Sequence, residues 1–115
     1  MMARDETLAH HPLDTECELP PRLIELFLRA APQQVAQLRD ACARRDAAAA
    51  RAQAHKIKGG LYAAGATSLA ESLEGLRGVV AHGDWPRADA RLLDFTEHFG
   101  AVCRMLEGQL QRETP

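Results

Sequence analysis

Aromatic residues are scarce in this 115-residue chain: one Trp, one Tyr and three Phe, 4% in all. Ala and Leu dominate an apolar content of 46% instead. That balance works against a β-sandwich, whose strands favour β-branched and aromatic side chains, and favours packed helices. No stretch alternates apolar and polar residues as a half-buried strand would. No apolar run approaches the length of a membrane span, and Met1 to Pro12 has charges and histidines in place of a signal-peptide core. Charge of one sign is lacking too. The chain has 14 Lys+Arg against 16 Asp+Glu, a net charge of −2, with no basic stripe. This argues against nucleic acid or an anionic membrane as a partner. Cys17, Cys42 and Cys103 are odd in number, widely spaced and without a CxxC pair. They read as free thiols in a reducing compartment, not as a disulfide framework or zinc site. The expected location is the cytoplasm.

The length suits one small domain. Residues 1–20 are polar and form an N-terminal extension, partly irregular, with room for a short helix near Leu13. His10-His11 lacks ligand-spaced partners and implies no metal site. From residue 21 to 112 the pattern is helical. Ile24, Leu28, Ala31, Val35, Leu38 and Cys42 step by four and three alternately, which makes one face of a helix. Pro32 interrupts that face, because proline removes a backbone donor and clashes with the preceding turn. The expectation is either one kinked helix or two abutting ones, 21–31 and 32–44.

Asp46 suits the N-cap of the next helix, whose stripe is Ala50, Ala54, Ile57, Leu61 and Ala64, with Gly65 as its stop. A third stripe runs through Leu69, Leu73, Leu76 and Val80 to Gly83; Ser68 and Glu71 match a capping box near its start. Asp84 caps the last helix, with Pro86 in the permitted first turn and Ala88, Leu92, Phe95, Phe99, Val102 and Leu106 along its face. The fold class is therefore all-α, an antiparallel up-down-up-down four-helix bundle. Four narrow stripes can satisfy one another, so a monomer is expected.

Within the second helix, His55 lies about 100° from the core residue Ala54 and so leaves the core. Its helical neighbours are Arg51, Lys58, Gly59 and Tyr62. A helical side chain leans over the preceding turn, so the residue shading the His55 ring would be at position 59, which is Gly59. Gly59-Gly60 inside a helix costs about 1 kcal/mol per glycine relative to Ala. An open window over an imidazole would account for that cost. A neutral ring nitrogen is a competent nucleophile at physiological pH. Lys58 places an ammonium where it can pair with an anion on the ring. The residues alone leave a plainer reading open: a surface histidine on an Ala-rich helix.

The run His55-Lys56-Ile57-Lys58-Gly59-Gly60, with Gly65-Ala66, Leu69, Leu73 and Leu76 after it, resembles the signature of histidine-containing phosphotransfer (HPt) domains. Glu25-Leu26-Phe27-Leu28, Ala31-Pro32 and Gly83-Asp84 are also similar to that family. The resemblance spans about Arg22 to Leu110. It implies that His55 accepts a phosphoryl group from an aspartyl phosphate of a receiver domain and passes it to another receiver aspartate. Lys58 and Gly59 match the family's site positions. It also implies no kinase activity and no cofactor of the chain's own, the magnesium belonging to the receiver. The implied partners are receiver domains of response regulators or of a hybrid histidine kinase. Two positions depart from the family pattern. Gly60 replaces a small polar residue. Arg77 replaces a glutamine or glutamate near the ring; it cannot accept a hydrogen bond from imidazole, and could contact the phosphoryl group instead.

The alternative is a helical adaptor or scaffold whose glycines only let helices pack closely. His82 and His98 read as incidental, and Trp85, Phe95 and Phe99 as core or end plugs. Arg44-Arg45 reads as a solvated turn, and Tyr62 as an apolar contact for a partner beside His55.

Overall fold

A computed structural model describes residues 19–113. The segment near Leu13, the His10-His11 pair and Cys17 lie outside them. Four helices and no strand occur among the described residues: α1 Pro21–Ala43, α2 Ala47–Ala63, α3 Thr67–Ala81 and α4 Trp85–Glu113. Each helix packs on its neighbours in sequence, and α4 closes the ring onto α1. The connections are three residues long, which forces successive helices to run antiparallel. The up-down-up-down bundle expected from the stripes is the observed fold.

α1 begins with Pro20 as N-cap and Pro21 at the first helical position, where the missing N–H costs nothing. It then runs unbroken through Pro32. Of the two arrangements expected there, the pair of abutting helices does not occur. Ala31 and Val35 are buried on either side of Pro32, which itself faces solvent. Packing of that shared face keeps the turns in register across the proline.

All three connections use the same ending. The residue after the C-cap takes a left-handed φ, at Arg45 (58°), Gly65 (84°) and Gly83 (72°). The following N–H then reaches back over the helix end: Asp46 to the Ala41 carbonyl, Ala66 to Leu61, Asp84 to Val79, at 2.9–3.2 Å. This is the Schellman arrangement, which satisfies otherwise orphaned carbonyls. In the same stroke it sets the next N-cap. Asp46 Oδ1 accepts the Ala49 N–H at 3.1 Å, and Asp84 Oδ1 accepts the Arg87 N–H at 3.3 Å. The third helix, whose start the sequence leaves open, begins ahead of the capping-box match at Ser68 and Glu71. Its N-cap is Ala66, with no side-chain cap, and Ser68 already lies inside the helix. The Ala66 side chain is fully buried, so core packing outweighs a cap hydrogen bond there.

The core follows the stripes. Ile24, Leu38, Ile57, Leu61, Leu73, Leu76, Val102 and Leu106 are all almost fully buried. Phe95 stacks on Phe99 with centroids 5.9 Å apart, and Phe27 tilts against Phe99 at 6.1 Å. No polar or charged residue is buried among the described residues. Nor, among these residues, is any helix long and apolar enough to cross a membrane.

Candidate functional site

Ala54, Ile57 and Leu61 anchor α2 in the core, each no more than 1% exposed. With that face fixed, helical geometry alone assigns the others. Lys58 lies at the seam with α3, and Lys56 and Gly60 lie at the seam with α1. His55 stands in the exposed arc between, about 60° around the axis from Lys58. Its ring makes no hydrogen bond or ion pair with any described residue. The other two described histidines differ. His82 and His98 each direct Nδ1 at the carbonyl one turn back, Gly78 O and Asp94 O, at 2.8 Å. In the neutral ring a nitrogen used that way carries the proton and Nε2 does not, so these hydrogen bonds orient the two rings against their own helices.

Gly59 and Gly60 are exposed. A Cβ built at either would have nothing within 4 Å from any other part of the fold. Close helix packing therefore does not explain them. The scaffold account, in which the glycines serve packing, loses its structural basis. What the glycines do is leave the surface beside His55 bare. Tyr62, 45% exposed, and Arg51 share that side of the helix.

Lys58 is not free in the structure. Its side chain is 19% exposed, and its ammonium is paired with Glu74 Oε2 on α3. Arg77 Nη1 donates to the same oxygen at 3.0 Å. The Lys58 hydrogen bond, with Arg77 adding to it, holds the Glu74 carboxyl below the usual carboxylate range against the opposing effect of burial. Glu74 was not singled out from the sequence. The available signal was its place beside the core residue Leu73 on the helix antiparallel to α2, on the side that meets Lys58. Arg77 sits with this cluster, and its Nε is buried without a partner.

On the other flank of α2, an apolar groove of about 320 Å³ runs between α1 and α2. Leu23, Leu26, Phe27, Lys56 and Gly60 line it. Leu23 and Leu26 are nearly half exposed there. The two described thiols offer no rival nucleophile. Burial raises the Cys42 pKa and pushes that of Cys103 up to about 11, so both stay protonated near neutrality. Among the described residues, no group of three or more His, Cys, Asp or Glu gathers to hold a metal ion.

The Arg44-Arg45 turn is more than solvated surface. Arg45 forms two hydrogen bonds with Asp89 and lies over the Trp85 ring, joining the start of α4 to the end of α1.

Comparison with known proteins gives one family and one structure. The Hpt domain family model matches residues 22–112. The crystal structure of histidine-containing phosphotransfer protein B (HptB) from Pseudomonas aeruginosa PAO1 superposes with a TM-score of 0.74 at 29% sequence identity, covering 80% of each chain. No curated protein matches the chain.

Proposed function

The chain belongs to the Hpt domain family, histidine phosphotransfer intermediates of phosphorelays, and we propose that His55 is the residue that carries its phosphoryl group. The observation that carries this reading is the unengaged, exposed His55 ring beside a bare Gly59 surface.

Family members exchange phosphoryl groups with receiver domains of response regulators or kinases. On this reading an unprotonated His55 nitrogen attacks the phosphorus of a receiver's aspartyl phosphate. The N–P bond forms as the P–O bond breaks, and the aspartate leaves as its carboxylate. Onward transfer reverses the sequence at a second receiver. The chain contributes a fixed nucleophile, an unobstructed approach and nearby positive charge, which are the main needs of phosphoryl transfer. We assign it no kinase activity and no cofactor of its own, and place the magnesium of the exchange in the receiver. The groove containing Leu23 and Leu26 offers apolar contact to the docked receiver. The chain acts as a monomer in the cytoplasm, where free thiols such as Cys42 and Cys103 persist.

The test is incubation with a receiver domain primed by acetyl phosphate. Wild type should gain an acid-labile, base-stable phosphate, and His55→Gln should gain none while melting as wild type does. Unchanged labelling of His55→Gln would overturn the assignment.

A further inference from the structure

Lys58 has one anionic partner in the structure, Glu74, and faces a second one whenever His55 is phosphorylated. The two options lie on different helices. Glu74 is across the seam on α3, and His55 is one turn back on α2. Most of the Lys58 side chain is sheathed by its surroundings. Its ammonium is a single compact charge, so full engagement with one anion weakens engagement with the other. Arg77 Nη1 donates to the same Glu74 oxygen, so Glu74 draws both cations to the seam. Glu74 is itself 45% exposed, so replacing it opens no cavity.

We propose, building on the reading of His55 as the phosphorylated residue, that Glu74 is a positioning residue that competes with the phosphoryl group for Lys58. In the unmodified protein it parks the ammonium at the α2–α3 seam. In the phosphorylated protein, Lys58 shares its charge with the phosphoryl only by loosening its hold on Glu74. That exchange leaves phosphohistidine less stabilised than a free lysine would make it, and readies the group for onward transfer. A phosphoryl group brings up to two negative charges, enough to draw Lys58 away but not without cost.

The test uses the full chain with potassium phosphoramidate, read by 31P NMR. This donor needs no protein partner. A His55 ring nitrogen forms a bond to phosphorus as the donor's P–N bond breaks, ammonia leaves, and the ring keeps the proton on its other nitrogen. Glu74→Gln should raise the steady-state ratio of phosphorylated to free protein by about two- to fivefold, the range open to an exposed ion pair. Glu74→Ala should move it the same way. Lys58→Ala should lower the ratio, and adding Glu74→Gln to Lys58→Ala should change nothing further. The phosphohistidine resonance should shift in Glu74→Gln and coincide in the two variants lacking Lys58. An unchanged or lower ratio in Glu74→Gln overturns the competition. So does an equal gain with and without Lys58, which would make Glu74 a simple repelling charge. His55→Gln separates the two readings. Absence of signal there upholds His55 whatever the other variants show, and persistent signal overturns both.

Discussion

Arg45 and Asp89 join the first turn of the bundle to its last helix. Two guanidinium nitrogens meet the two carboxylate oxygens at 2.8 and 3.0 Å, and the guanidinium carbon lies 5.1 Å from the Trp85 ring centroid. Arg45 holds this position from a left-handed backbone, φ 58°, a conformation that costs a non-glycine residue about 1–2 kcal/mol. Arg45→Gly should remove the strain together with the contacts, and Arg45→Ala only the contacts. Thermal or urea melts should therefore place the Gly variant about 1 kcal/mol above the Ala variant. Equal stabilities would show that the turn carries no strain.

The same pair makes stability depend on acid. The hydrogen bond from Arg45 lowers the Asp89 pKa in the folded state. A depressed carboxylate contributes stability that is full above the unfolded value, about 3.9, and is lost as pH falls through the lower folded value. Glu74 behaves alike, through Lys58 first and Arg77 second. Urea midpoints measured from pH 5 downward should fall for wild type and fall less steeply for Asp89→Asn. Parallel curves would remove Asp89 from the acid response.

Lys58→Ala should slow phosphoryl transfer to His55 without abolishing it. A charge-assisted contact of this kind is worth about 1–3 kcal/mol, a loss between a few-fold and about a hundredfold. Single-turnover transfer from a phosphorylated receiver measures it. An unchanged rate would assign the charge to Arg51, Lys56 or Arg77.

Gly59→Gln sets stability against access. Helix propensity favours the variant by up to about 1 kcal/mol, and space beyond the Cβ is open, so it should melt at or above the wild-type temperature. Its longer side chain leans toward the turn that bears His55. Transfer from a receiver should fall well below wild type, and labelling by the small phosphoramidate should fall less. Equal losses with both donors would locate the defect in His55 itself and not in the approach of a partner.

How much of this could be read before folding depends on the range of the interaction. The stripes through Ile57, Leu73 and Phe95, the Asp46 and Asp84 caps and the Gly65 and Gly83 stops are set within a few residues along the chain, and all appear in the structure. So is the outward direction of His55, because one buried face of α2 dictates the other.

Local rules fell short where a distant surface competed with them. The capping-box match at Ser68, which left the helix start open, yielded to burial of Ala66. The break offered by Pro32 yielded to a core face continuing on both sides of it. The Arg44-Arg45 turn became a tether once α4 brought Asp89 and Trp85 beside it.

By itself, then, the sequence determined four amphipathic helices, their ends and an exposed histidine flanked by glycine, since periodicity and capping act within a turn or two. Tertiary structure alone decided what Lys58 touches. Its pairing with Glu74 depends on how far α2 and α3 slide along each other, and that register is set by side chains packing across the seam, which spacing within either helix does not encode.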